Sequence, residues 1–146
     1  MLPGFEARSA RDFRVLVTDP FGRPSPRVVV AAARAGALGV LDIDDPSASS
    51  AIAEITARID GPFAIRTNGK CLRDPEFMLP AQVDTIVLAP GASPIGDDSA
   101  LRGRRLLATV RSTAEAQAAI RAGCDGLIAK GAESGGAVGD TDAFLL

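Results

Sequence analysis

Apolar residues fall along this chain in short bursts, and between the bursts they recur with the spacing of a helix face. The runs "FRVLVTD" (13–19), "LGVLDID" (38–44), "PFAIRTN" (62–68), "DTIVLAP" (84–90), "RLLATV" (105–110) and "DGLIAKG" (125–131) have the length and content of short buried strands. Three intervening segments predict helices. They are "SPRVVVAAARAG" (25–36), with Ser25 as its cap and Gly36 as its stop; "SASSAIAEITARIDG" (47–61), closing on Gly61; and "STAEAQAAIRAG" (112–123), closing on Gly123. The stretch "LRDPEFMLPAQ" (72–82) predicts at most a broken turn of helix, and "GASPIGDDSALRG" (91–103) a loop with a short helical turn.

Strands that alternate with helices pair in parallel through right-handed crossovers, which makes the chain α/β. The strand starts recur every 20 to 25 residues, a period that favours a barrel-type βα repeat over an open doubly wound sheet. A whole (β/α)₈ barrel needs roughly 250 residues. With 146 residues and six strands, the expectation is a single domain over 1–146. It would be a partial TIM barrel of six parallel βα units that stops before strands seven and eight. An open six-unit sheet with its edges covered by a partner is the alternative.

Composition narrows the chemistry. The net charge is −2 and the 16 Lys and Arg are scattered among 18 Asp and Glu, so no basic stripe exists to track a nucleic acid. Apolar residues reach 47%, yet Arg27 and Arg34 interrupt the longest run, well short of the roughly 20 residues of a membrane span. Cys71 and Cys124 lie far apart with no metal-type spacing, and "MLPGFEARSARDF" lacks a secretory core. A cytoplasmic setting is expected, with no metal. The chain has no histidine, which removes Ser-His-Asp triads, His-containing zinc sites and any imidazole base. Carboxylates, lysine or a cofactor must then do the work.

Ligands of α/β folds meet the carboxyl ends of the strands. The last of these ends is "GAESGGAVGD" (131–140), with four glycines beside Glu133, a carboxylate that reads as buried. Glycine density at a strand end lets the backbone approach a ligand closely and leaves N–H groups free. A flexible loop ahead of a helix is the competing reading.

Taken in order, "AGALGVLDI", "PFAIR" and "LLATVRSTAEAQAAIRAGCDGLIAKGAESGG" resemble the nitronate monooxygenase and flavin-dependent enoyl reductase group, FMN-binding TIM barrels also known as 2-nitropropane dioxygenase-like. The likeness covers residues 13–146, and the form "KGAESGGAVGD" resembles versions fused into polyketide-synthase-type proteins. The resemblance implies FMN as cofactor, NAD(P)H as a possible electron donor and an unsaturated acyl or other small-molecule substrate. It places Pro20 and Phe21 in the first-strand loop against the flavin ring. Arg66 stands where nitronate monooxygenases usually have an asparagine near the flavin. Lys130 takes the position of a flavin-contacting glutamine, where a cation stabilises negative charge on reduced flavin. Gly131, Ser134, Gly135 and Gly136 match the loop that meets cofactor or substrate, and Glu133 with Lys130 are the candidate catalytic residues. Glu133 as a cap for the following turn is the structural alternative.

The departures from the family pattern matter as well. Ala137 sits where the monooxygenases carry their catalytic histidine, which argues against nitroalkane oxidation. The phosphate-holding loops after strands seven and eight of such barrels are not among these residues, so weak retention of FMN is expected. The leading expectation is therefore an FMN-dependent oxidoreductase domain of a larger polyketide or fatty-acid synthase-like protein, associating with other synthase domains or with itself through sheet edges. The alternatives are a non-catalytic degenerate barrel module docking within a synthase, and a phosphate-binding aldolase or isomerase in which Lys130 forms a Schiff base.

Overall fold

The computed structural model describes residues 15–74, 76–92, 101, 103–136 and 138–143. Strand β1 (Leu16–Thr18) leads to α1 (Pro26–Arg34), β2 (Leu38–Asp42), α2 (Ala48–Thr56) and β3 (Phe63–Thr67). A 3₁₀ turn at Cys71–Arg73 precedes β4 (Val83–Leu88), β5 (Arg105–Val110), α3 (Thr113–Arg121) and β6 (Gly126–Ala129). The strands lie in the order β1-β2-β3-β4-β5-β6 and every neighbouring pair is parallel. The sheet curls into a half-barrel, the partial TIM-type fold expected from the period of the strands.

Side chains alternate between the two faces of each strand, and the two faces differ. On one, Leu41, Ile65 and Ile86 line up across β2, β3 and β4 and bury against Val29 of α1 and Ile52 and Ile55 of α2. Ala108 of β5, opposite Leu88, continues this face, and with Val110 it packs on Ala119 of α3. All three described helices thus cover the convex side, where each fully buried Leu or Ile contributes about 1.5–3 kcal/mol. The concave side carries a second, smaller apolar set: Leu38, Val40, Ala64 and Val87, with Leu107 and Ile128 against them. Gly39 shows how closely α1 sits on β2. A Cβ there would fall 2.6 Å from Val29 Cα and 2.8 Å from its carbonyl oxygen, so only glycine lets the helix down onto the strand.

The element ends show which local signals held. Helices α1 and α3 stop at Gly36 and Gly123, both with left-handed φ. Ser25 sits at the N-cap of α1 but makes no side-chain cap bond; its carbonyl accepts from the Val28 and Val29 amides at 3.1 and 3.3 Å, and Pro26 opens the helix. Helix α2 ends at Thr56, ahead of Gly61. Ile55 is fully buried, and its carbonyl takes the amides of Arg58 and Ile59 at 2.9 and 3.1 Å in a closing turn. Strands β2 and β6 end earlier than the apolar runs, although Ile43 and Lys130 each still donate one inter-strand bond, to Arg66 and Val110. Residues 13–14 of the first run and 93–100 of the long connection lie outside the described residues. Among the described residues no helix is long and apolar enough to cross a membrane.

Candidate functional site

Six parallel strands bring their carboxyl ends to one rim, and there the concave face holds a cavity of about 180 Å³. Its apolar part is Leu16, Val40, Val87 and Ile128, with Pro90 beside them; its polar part is Thr18, Arg66, Thr109 and Lys130. The two faces of the sheet explain the mixture. Val40, Val87 and Ile128 belong to the concave apolar set, and the polar residues lie further along the same strands or just beyond their ends.

Arg66 is held rigidly. Asp42 and Arg66 face each other in the β2–β3 register, and the guanidinium donates from Nε at 2.5 Å and from Nη2 at 2.9 Å to the two carboxylate oxygens. Side-chain exposure is 24% for Arg66 and 11% for Asp42, so water screens this pair little. Burial pushes the Asp42 carboxyl above its ordinary value; the hydrogen bond and charge of Arg66 pull it down and offset this only in part, while Asp19 and Asp44 add to the rise. Nη1 of Arg66 has no partner among the described residues.

Lys130 is held from the other side of the cavity. Its Nζ donates to the carbonyl of Gly135, and a Cβ on Gly136 would lie 3.4 Å from that Nζ. Gly136 adopts φ +77, a conformation that L side chains resist, whereas the Cβ direction of Gly135 is open space. The loop thus wraps the lysine. Ser134 closes a turn by donating its amide to the Gly131 carbonyl at 3.0 Å.

Glu133 is exposed, not buried as the sequence suggests. Both carboxylate oxygens accept from the amide of Ala143, at 3.1 and 3.2 Å, which makes Glu133 a cap for the segment that follows. Gly131 is buried beneath this contact; a Cβ on it would collide with the Ala143 amide and the Glu133 carboxylate. Pro20 and Phe21 stand on the rim, outside the cavity lining. Asp19 accepts the Phe21 amide at 2.8 Å, Phe21 is 82% exposed, and the Cβ position of Gly22 lies 3.9 Å from Arg66 Nη2. Arg66 and Lys130 therefore share one cavity, the Pro20–Phe21 loop borders it, and Glu133 bonds the Ala143 amide outside the cavity lining. Ala137 lies outside the described residues.

Sequence reasoning did not single out Asp42, Thr18 or Thr109. The signal for Thr109 was the period of two in "RLLATV": Leu107 packs into the concave set, which puts Thr109 on the same side. Away from this cavity, Asp44 accepts from the Thr67 hydroxyl and the Asn68 amide, both at 2.7 Å, and so ties together the rim of β2 and β3. Burial pushes both the Cys71 and the Cys124 thiols above the ordinary value, which keeps them protonated at neutral pH. Among the described residues no cluster of His, Cys, Asp and Glu is arranged to hold a metal ion.

No family model and no curated protein matches the chain. Among solved structures, FabK from Thermotoga maritima shares the fold, with a TM-score of 0.70 over 91% of this chain and 23% sequence identity. The chain spans 45% of the length of that FabK chain.

Proposed function

We propose that the protein is an FMN-dependent oxidoreductase domain of the enoyl reductase and nitronate monooxygenase type, working within a larger synthase. The observation that carries this reading is the concave cavity: apolar on one part, with two tethered cations on another, at the strand ends of a sheet that superposes on FabK. The residues fit the group. A flavin ring has an apolar body and a pyrimidine edge rich in acceptors, and here Val40, Val87 and Ile128 face a planar body while Arg66 and Lys130 supply donors and positive charge. The synthase context rests on the sequence form "KGAESGGAVGD".

Bound flavin would supply the hydride chemistry, with NAD(P)H as donor and an unsaturated acyl compound as acceptor. The protein's own residues orient the ring and set the field around it. Lys130 Nζ, fixed by the Gly135 carbonyl, holds its charge beside the ligand without a reorganisation cost when electrons arrive. Arg66 does the same from β3, with part of its charge neutralised by Asp42. With no histidine in the chain, proton abstraction from a nitroalkane lacks an imidazole base, and this favours reduction over nitroalkane oxidation.

Titration of FMN and of riboflavin into the protein, followed by flavin fluorescence, tests the reading. Both should quench to saturation at one flavin per chain and with similar affinity, since the cavity meets the ring and not the phosphate. A flat titration for both up to millimolar protein would end the flavin assignment. Lys130→Gln should lower the midpoint potential of the bound flavin while leaving the melting temperature in place.

A further inference from the structure

The buried polar residues of the concave sheet single out one hydroxyl. Among the described residues four polar side chains are buried: Asp42, Thr67, Thr85 and Thr109. Asp42 accepts from Arg66, Thr67 donates to Asp44 at 2.7 Å, and Thr85 donates to Asp84 at 2.8 Å. Thr109 is only 8% exposed; its hydroxyl makes no hydrogen bond among the described residues and is not an enclosed atom, so Oγ1 keeps an opening to the cavity that the residue lines. A hydroxyl that opens onto a cavity and has no protein partner can bond whatever enters that cavity. Arg111 Nε, by contrast, is enclosed without a partner, and that guanidinium already pairs with Glu115 at 2.8 Å.

Position gives the hydroxyl a purpose. Thr109 lines the concave cavity together with Arg66 and Lys130, and it is registered against Ile128 of β6, two residues before Lys130. It also borders a second cavity, next to α3. The alternation that sends Ala108 and Val110 to α3 and Leu107 to the concave set turns the Thr109 side chain to the concave side. Its neighbours there, a guanidinium and an ammonium, can only donate. A ligand edge that meets these two cations must therefore present acceptors, and the Thr109 hydroxyl can donate to the same edge.

We propose that Thr109 Oγ1 donates a hydrogen bond to a carbonyl oxygen of a planar conjugated ligand on the concave face, and so fixes which edge of that ligand turns toward β5. This rests on reading the concave cavity as the ligand site. The carbonyl has two possible sources, the pyrimidine ring of a flavin or the unsaturated acyl group of a substrate, and the chemistry of recognition is the same for both.

Thr109→Val tests it, because valine keeps the shape and removes only the hydroxyl; Thr109→Ser keeps the hydroxyl. Each variant and the wild type are melted, titrated with riboflavin by fluorescence, and titrated with the crotonyl thioester of N-acetylcysteamine by NMR shifts. The expected result is a Thr109→Val protein that melts at or above the wild type yet binds one probe about three- to tenfold more weakly, the value of one hydrogen bond. Thr109→Ser should restore that binding. Weakening confined to riboflavin identifies the flavin edge, and weakening confined to the thioester identifies the substrate. A lower melting temperature for Thr109→Val that Thr109→Ser recovers would show a structural hydroxyl and overturn the proposal, as would equal binding of both probes by wild type and Thr109→Val. If the wild type binds riboflavin but Thr109→Val changes neither probe, the flavin reading stands and the role of Thr109 falls. If the wild type binds the thioester alone and Thr109→Val weakens it, the reverse holds. Binding of neither probe by the wild type removes both.

Discussion

Arg66 and Asp42 form a charged pair that faces a cavity rather than bulk water, so its energetics can be read out by changing one partner. Asp42 is already raised above its ordinary 3.8 by burial. A raised value in the folded state means that the fold favours the protonated carboxyl. The contribution of Asp42 is then full below about pH 3.8 and is lost as pH rises through its folded value. Arg66→Met removes the pull that opposes this rise and leaves a buried carboxylate unpaired. It should cost about 3 kcal/mol near neutral pH and less in acid, where Asp42 takes up a proton. Urea unfolding at about pH 7 and about pH 4 measures the difference; an equal cost at both would mean that Asp42 is not the group left stranded.

The glycine loop can be dissected at the same scale. Gly136→Ala forces a left-handed residue to carry a side chain and should cost about 1 kcal/mol. Gly135→Ala meets open space and keeps the carbonyl that holds Lys130, so stability and riboflavin binding should both persist. Loss of binding in Gly135→Ala with an unchanged melting temperature would instead make the bare glycine backbone the contact surface. The sequence of this loop signals close approach without saying what approaches. Its glycines serve the Lys130 tether and the space under Glu133, and the Glu133 cap depends on Ala143, ten residues away.

Helix starts show how far local sequence carries at the scale of elements. The sequence reads Ser25 as a cap, yet it is Ser112 that takes an extended conformation and accepts the Glu115 amide, at 3.2 Å. Glu115 reaches back to the Arg111 amide at 2.7 Å, and the Arg111 hydrogen bond holds its carboxyl below the ordinary range. Ser112→Ala should lower stability by about 1 kcal/mol, whereas Ser25→Ala should be near neutral, since Ser25 bonds only through its backbone. Equal losses in thermal melts of the two variants would contradict this. The Ser112 cap went unread, and at the start of α1 Pro26 leaves one N–H fewer to satisfy. The β5 run coincides with its strand, Arg105–Val110. The end of α2 did not follow its glycine: the helix closes ahead of it in a turn where the Ile55 carbonyl accepts the Arg58 and Ile59 amides.

For the molecule as a whole, β1 and β6 are the outer strands of the sheet, and each presents one edge with no ladder partner among the described residues. Val15, Leu16 and Leu127 are exposed on these strands or beside them. Such edges pair readily, so the protein should form oligomers at micromolar concentration, and a monomeric mass by light scattering would count against it. The half-barrel was legible because six strand-length runs recur at one period; part of the candidate cavity lining was legible too, since Arg66 and Lys130 both lie at strand ends and strand ends converge. Asp42 and Thr109 were hidden because their meaning depends on which face of the strand they occupy and on partners two dozen residues away or absent. The central claim is that this concave face seats a flavin ring. A crystal structure of the protein grown with FMN tests it most directly. The account predicts the ring over Val40, Val87 and Ile128, with its acceptor edge toward Lys130 and Arg66; a ring seated beside α3, or a concave face left empty at saturating FMN, would contradict it.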